Sequence, residues 1–336
     1  MDNSAHQNYL HIDVHPVSGA LGAEITGVDI SLPLDAEVVS EIRNALLSHL
    51  VIFFQNQVIT PQQQLNFAEQ FGTPMEYPQL KGLPECPLVT EVIKLEHETL
   101  NFGGVWHSDT TYIKQPPMAS MLYAIEIPPY GGDTLFSNQY MAYETLSDGL
   151  KKTLSELVAV NTSSKPEVSM TREDRMREAG MELNVLSALH PAVRTHPETG
   201  SKALYVNIAH TTHFEDWTEQ ESKSLLEFLF QHQVRPEFTC RFRWDKNSLA
   251  FWDNRCVQHN PVNDYQGFRR IMHRLLLQGI SLFKNFFLLF KESIKTRCYL
   301  GTDQNYNPGN EDPDKQQRYN CKSTVNHLIN REMNEI

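Results

Sequence analysis

The sequence predicts a mainly β protein with peripheral helices, its core a barrel or a double sheet. Three observations predict it. Short apolar or alternating runs, bounded by Gly, Pro, Asn and Asp, recur through residues 10–280, as expected for many short strands joined by turns. A helical period surfaces in only a few stretches, and these are amphipathic, so helices should pack on the outside. No internal repeat and no linker divides residues 10–280 of the 336-residue chain, so one domain is expected there.

Residues 10–31 alternate apolar and polar around Gly19, Gly22 and Gly27 and read as short strands. Over residues 34–50 the period changes. Val38, Val39, Ile42, Leu46, Leu47 and Leu50 recur at helical spacing, with Asp35 as N-cap. Val51-Ile52-Phe53-Phe54 is a buried strand. Thr60-Pro61 opens a second helix, because proline lacks an N–H that the first helical position does not need; Gly72 closes it. A strand is expected at 88–93. Residues 106–112 (WHSDTTY) read as a short strand or its end, and 118–126 (MASMLYAIE) as another. The turn PPYGGD at 128–133 leads into a strand from Thr134. Residues 139–182 read as mainly helical, interrupted by a loop at 163–166. Residues 190–196 and 202–208 pair around the turn 197–200. Residues 218–232 form an amphipathic helix, and strands follow at 237–243, 248–252 and 270–280. From about residue 281 the chain becomes rich in Asn, Asp, Lys and Gln, so 281–336 is expected to be a divergent, partly disordered tail.

Composition narrows the function. A formal charge of −12, from 29 Lys and Arg against 41 Asp and Glu, argues against a general nucleic-acid binder, which needs a basic surface. The polar start MDNSAHQN has no apolar core of the secretory kind. Phe286-Phe287-Leu288-Leu289-Phe290 is far shorter than the roughly 20 residues needed to span a bilayer. The five cysteines (86, 240, 256, 298, 321) are scattered without a Cys-x-x-Cys, which fits reduced thiols better than a disulfide frame. A cytoplasmic protein with no nucleic-acid or membrane partner is expected; a homo-oligomer stays open.

The chemistry centres on His107 and Asp109, two residues apart. On a strand they would share a face. One imidazole and one carboxylate are two thirds of the 2-His-1-carboxylate set of non-haem Fe(II) oxygenases, which leaves metal positions open. With 14 histidines in the chain, a structural His-Asp pair is an equal reading of those two residues alone. His259, in the aromatic-to-polar run FWDNRCVQHNP (251–261), is a candidate third ligand. Arg270 and Arg274, four apart, would face one way on a strand; buried, they require anions, either a ligand carboxylate or internal Asp and Glu. Two decoys are set aside. His11, Asp13 and His15 would lie ~13 Å apart end to end on one strand face, too far for one metal. His213-Phe214-Glu215 reads as the entry to a helix.

Residues 10–280 resemble the taurine dioxygenase (TauD/TfdA) family of Fe(II)/2-oxoglutarate-dependent dioxygenases. The carrying segments are WHSDTTY (106–112), PPYGGDTLFSN (128–138), THPETGSKALYVN (195–207), WDNRCVQH (252–259) and RRIMHR (269–274). The resemblance implies a double-stranded β-helix (jelly-roll) core of the clavaminate synthase-like type. It implies His107, Asp109 and His259 on Fe(II), and Thr134 and Arg270 on the distal carboxylate of 2-oxoglutarate, with O₂ as co-substrate. 2-Oxoglutarate would be decarboxylated to succinate and CO₂ while a small anionic organic substrate is hydroxylated. Arg274 would meet the anionic end of that substrate. The pocket departs from taurine enzymes. Tyr77 stands where they carry a sulfonate-binding His, Gly103 where they carry an Asn, and His210 where they carry an aromatic. Arg274 kept in an altered pocket suggests a small anionic substrate with a body different from that of taurine; an alkylsulfonate-like one is expected, with a sulfate ester or an aryloxy or other carboxylic acid as the alternative. Two rivals are an inactive metal-binding jelly roll and a zinc hydrolase on the same three ligands.

Overall fold

Phe53 shows how the core is built. In strand Val51–Phe54 every residue is buried, because the sheet it belongs to is covered on both faces, and a strand buried on both faces reads as a continuous apolar run. The computed structural model describes residues 9–78, 80–165 and 184–282. In chain order these form β1 (Asp13–Pro16), β2 (Ala23–Thr26), α1 (Ala36–His49), β3 (Val51–Phe54), α2 (Pro61–Glu69), β4 (Pro74–Met75), β5 (Val89–Lys94), β6 (Ala119–Glu126) and β7 (Thr134–Asn138). Then follow α3 (Gln139–Glu144), α4 (Asp148–Leu154), β8 (Val158–Thr162), β9 (Ser187–Pro191), β10 (Val193–Thr195), β11 (Lys202–Leu204) and β12 (Thr211–Phe214). The last are α5 (Glu219–His232), β13 (Thr239–Phe242), β14 (Leu249–Asp253), β15 (Val257–Pro261) and β16 (Arg270–Leu277).

The larger sheet runs β1-β2-β3-β14-β6-β16-β4, with β5 also paired to β16; a smaller one runs β13-β7-β15. Side chains between them close one core: Val51, Phe53, Ala250, Trp252 and Met272 from the larger sheet pack with Phe136, Phe242 and Val257 from the smaller. Phe53 and Phe242 stack with centroids 4.0 Å apart. The opposite face of the larger sheet, through Ile52, Phe54, Phe251 and Leu275, takes Ile42 and Leu46 of α1 and Phe67 of α2. This is the double-sheet jelly-roll arrangement. The described strands do not close into a barrel, so of the two expected cores the double sheet is the one formed.

Helix boundaries follow their caps. Thr60 and Gln63 at α2, and Thr218 and Glu221 at α5, make reciprocal capping boxes. At α1, Asp35 takes the N-cap backbone conformation without a side-chain bond. α2 ends at Glu69, before Gly72, which lies beyond the helix.

Four expectations are corrected. Residues 106–112 form no strand: His107 makes a single bridge with His259, and the chain then turns. The stretch 139–182 is not helical throughout, since 158–162 is strand β8, held by β9 and β12 on either side; residues 166–183 lie outside the described residues. His213 and Phe214 belong to β12, not to a helix entry. The strands expected at 190–196 and 202–208 split: 187–191 pairs with β8, leaving a short β10–β11 hairpin. Long-range pairing decided each of these, and single-strand periodicity does not report it. Of the expected tail, 281–336, residues 283–336 lie outside the described residues.

Candidate metal centre

His107 and His259 exchange both backbone hydrogen bonds: His107 N–H donates to His259 O at 3.0 Å, and His259 N–H to His107 O at 2.8 Å. Directly opposed residues of an antiparallel pair send their side chains to one face. The two rings therefore lie side by side, centroids 4.1 Å apart. Asp109 arrives differently. The chain leaves the bridge into a turn, with Thr110 at φ 46° and the Ile113 N–H on Thr110 O at 3.1 Å. The turn carries Asp109 back toward the imidazoles.

The carboxylate is held from behind. Ser120 donates to Asp109 Oδ2 at 2.6 Å, Asn254 Nδ2 donates to Ser120 Oγ at 2.7 Å, and Trp252 Nε1 donates to Asn254 Oδ1 at 2.9 Å. That chain fixes one oxygen and leaves Oδ1 facing the rings. Asp109 Oδ1 lies 3.7 Å from His107 Nε2 and 4.0 Å from His259 Nε2, too long for hydrogen bonds. Neither Asp109 Oδ1 nor His259 Nε2 has a hydrogen-bond partner among the described residues, and both are buried. A buried acceptor left unpaired costs about 1–3 kcal/mol. These two atoms and a ring nitrogen of His107 lie within 4.8 Å of one another, an arrangement that fits a cation, and two imidazoles with one carboxylate are the donor set of non-haem Fe(II).

Protonation states agree with that fit. His107 Nδ1 donates to Val105 O at 2.7 Å, which turns the Nε2 lone pair toward the site. Burial lowers the His107 pKa, and it lowers that of His259 further, with His107 and Arg274 adding to the effect. Both rings are therefore neutral donors. Burial alone would raise Asp109, but Arg274, then His259, His107 and the Ser120 hydrogen bond, hold it well below the usual carboxylate range.

The other residues singled out from sequence converge on the same place. Arg274 Nη1 is 3.3 Å from Asp109 Oδ1, so the internal ion pair weighed for the arginines is present there. Its guanidinium lies 5.6 Å from the Tyr77 ring and 5.8 Å from that of Phe102. Arg270 makes no salt bridge among the described residues; it is buried beside Trp244 at 5.7 Å, with Nε and Nη2 unbonded. Thr134 opens β7 and accepts the Trp244 indole N–H at 2.9 Å. The His210 ring is 6.3 Å from His107 and 4.9 Å from Tyr112. His11, Asp13 and His15 join no metal-capable cluster among the described residues. Sequence reasoning missed Phe102 and the Ser120–Asn254 pair; the only signal for Asn254 was its place after the aromatic run of β14.

Gly103 is a contact, not merely a gap. It has φ 66°, and a Cβ there would sit 3.0 Å from His107 Cε1. Gly103→Ala should therefore displace the imidazole and weaken Fe(II) binding by about tenfold, in the range found when a ligand's support is disturbed. A metal titration of folded protein checks this.

A second buried cluster joins His196, Asp253 and Cys256, but its acid is already spent. Asp253 takes Arg255 on both oxygens, at 2.8 and 2.6 Å, and His196 at 3.0 Å. Burial pushes the Cys256 thiol well up, so it is not a thiolate. Arg255 reaches on to Glu198 at 2.6 Å, and Glu198 to Arg43 of α1 at 2.7 Å. This is a lock between the 196–200 turn, β14 and α1.

Comparison with known proteins gives a consistent result. Residues 13–276 match the model of the family described as taurine catabolism dioxygenase TauD, TfdA. The chain is 35% identical over 281 residues to an alpha-ketoglutarate-dependent sulfate ester dioxygenase from Pseudomonas putida, covering 80% of this chain and 90% of that one. It is 33% identical over 279 residues to an alkylsulfatase from Acinetobacter baylyi, covering 80% and 85%. A taurine dioxygenase structure from Burkholderia xenovorans superimposes with TM-score 0.70 at 38% identity, covering 81% of this chain and 90% of that one.

Proposed function

For a chain that belongs to the TauD/TfdA dioxygenase family, we propose that His107, Asp109 and His259 hold the Fe(II) and that Thr134 and Arg270 receive the distal carboxylate of 2-oxoglutarate. The protein is an alpha-ketoglutarate (2-oxoglutarate)-dependent dioxygenase that uses Fe(II) and O₂. The observation that carries the site assignment is the set of buried, unbonded donor atoms on Asp109 and His259 beside His107. When bound, Fe(II) supplies the O₂ chemistry that couples 2-oxoglutarate decarboxylation to substrate hydroxylation. The chain's own part is placement. The Ser120–Asn254 relay keeps Asp109 ionised and aimed, the buried setting keeps both imidazoles neutral, and the dry walls keep competing water away.

Arg274 is the group we assign to the prime substrate, a small organic anion of the alkylsulfonate kind. It is buried, with Nε and Nη1 making no hydrogen bond among the described residues, and its planar fork suits an oxyanion head. Tyr77 and Phe102 flank it and would line the organic body. A sulfate ester is the second reading. It is favoured by the names of the Pseudomonas and Acinetobacter relatives and by Tyr77 and Gly103, which put no charged donor beside Arg274. The two separate by product: hydroxylation at the carbon bearing the head group releases sulfite from a sulfonate and sulfate from an ester.

The test is substrate-dependent CO₂ release from 2-oxoglutarate with alkylsulfonates, alkyl sulfates and aryloxy acids, with sulfite and sulfate assayed. Stimulation by neutral analogues alone would overturn the anion assignment. Arg274→Gln should raise KM for the anionic substrate by roughly 100-fold, the worth of a charge-assisted pair, while affinity for 2-oxoglutarate stays within about threefold of wild type. We place the catalytic domain at residues 10–280 and the protein in the cytoplasm, a setting that the unpaired buried thiols Cys86, Cys240 and Cys256 suit. No helix among the described residues is long and apolar enough to cross a membrane.

A further inference from the structure

Beside the site lies a small cavity lined by Lys94, Asn101, Phe102, Pro261, Tyr265 and Arg270. Two of its walls are cations. In the β5–β16 pairing Lys94 stands directly opposite Arg270, so both side chains leave the same face. Both are buried, at 3% and 5% exposure. Lys94 Nζ has no hydrogen-bond partner among the described residues and rests 4.5 Å over the Tyr265 ring. Arg270 Nε and Nη2 are likewise without a hydrogen-bond partner among the described residues.

The remaining polar groups of the cavity are occupied. The Tyr265 hydroxyl donates to Asn101 Oδ1 at 2.8 Å, and Asn101 Nδ2 donates to Pro261 O at 3.2 Å. Glu98, the carboxylate whose charge acts on Lys94, accepts the Leu95 N–H. Asp133, which acts on Arg270, is paired to Arg241. Like charges directly across a strand pair are destabilising, and buried cations without an anion are costlier still. The unused donors therefore call for an anionic ligand group.

The cavity borders the metal centre. Pro261 follows His259 by two residues on β15 and is paired with Thr134. Phe102 precedes Gly103, where a Cβ would sit 3.0 Å from His107 Cε1, and the Phe102 ring lies 5.8 Å from the Arg274 guanidinium.

We propose that Lys94 is a second cation for the distal carboxylate of 2-oxoglutarate, sharing it with Arg270 across the strand pair. This rests on the reading that Thr134 and Arg270 receive that carboxylate. Lys94 is then a co-substrate-binding residue, and the Lys94–Arg270 repulsion in the free protein becomes attraction to the ligand when it binds.

The experiment is anaerobic calorimetry on Fe(II)-loaded protein with two keto acids: 2-oxoglutarate, and 2-oxopentanoate, which carries a methyl in place of the distal carboxylate. Lys94→Met should weaken 2-oxoglutarate at least about tenfold, as expected for loss of a charge-assisted contact, and 2-oxopentanoate less than about twofold. Lys94→Arg should restore most of the loss. The ligand-free Lys94→Met protein should melt no lower than wild type, because one of two opposed cations is gone; a purely structural lysine would lower the melting point and weaken both acids equally. Arg270→Met separates the two layers of the reading. If it loses 2-oxoglutarate selectively while Lys94→Met does not, the role of Lys94 is wrong and the carboxylate placement stands. If neither variant discriminates between the acids, both readings fall.

Discussion

Asp109→Asn is expected to lower 2-oxoglutarate turnover on the order of a thousandfold and Fe(II) affinity by at least about 100-fold. The side chain keeps its shape, so the Ser120 contact to Oδ2 has a counterpart in the variant and the turn should form. What disappears is the negative charge on Oδ1, the atom shared by both histidines and by Arg274. An ionic ligand contributes several kcal/mol at a metal centre, and each 1.36 kcal/mol is a factor of ten in rate. Arg274 is also left without its counter-charge, so the variant should be less stable as well, by up to about 3 kcal/mol. Metal content, CO₂ release and a thermal melt distinguish the two losses. Ser120→Ala is the graded control: it keeps the charge and frees the carboxylate, and should cost about 10–100-fold. Full turnover in iron-loaded Asp109→Asn would falsify the assignment of this residue to the metal.

The second large effect lies away from the chemistry. Arg255→Met should destabilise the protein by about 3–5 kcal/mol, the range for stripping one partner from a buried ion pair. Asp253 is 1% exposed, and Arg255 bonds both of its oxygens; the loss leaves His196 as its remaining side-chain partner. Glu198 loses its bond as well and keeps Arg43. For a domain of this size the change corresponds to a drop on the order of 10 °C in melting temperature.

The pH dependence has a definite sign. Burial would raise the Asp253 pKa, but Arg255 and then His196 outweigh it and hold it well below the ordinary carboxylate value. A depressed folded-state pKa means that the contribution is complete above about pH 4 and is lost as the pH falls below it toward the depressed value. Arg255→Met should therefore flatten the acid limb of the stability profile, the gap to wild type narrowing below about pH 4. A variant whose deficit persists undiminished at pH 2 would place the role of Arg255 in packing rather than charge.

The division between local and long-range information is visible in particular residues. Sequence alone carried the candidate ligand set, His107, Asp109 and His259, which the fold brings together, and the two arginines beside it, because metal chemistry restricts which side chains serve and the motifs carry them at recognisable spacing. It also carried the helix start at Thr60-Pro61 and the buried strand 51–54, since those signals lie within a few residues of one another. Only the tertiary structure decided how Asp109 reaches the two imidazoles. A strand through 106–112 would have put His107 and Asp109 on one face by period alone, yet the chain bridges once to His259 and turns at Thr110. That bridge joins residues 152 positions apart, and no local pattern encodes it. The same holds for Lys94 opposite Arg270, for the Ser120–Asn254 relay behind Asp109, and for strand β8 within a stretch that reads as helical. In each case the deciding energy is that of burying a polar group or pairing a strand against a distant partner, and it exists only once that partner has arrived.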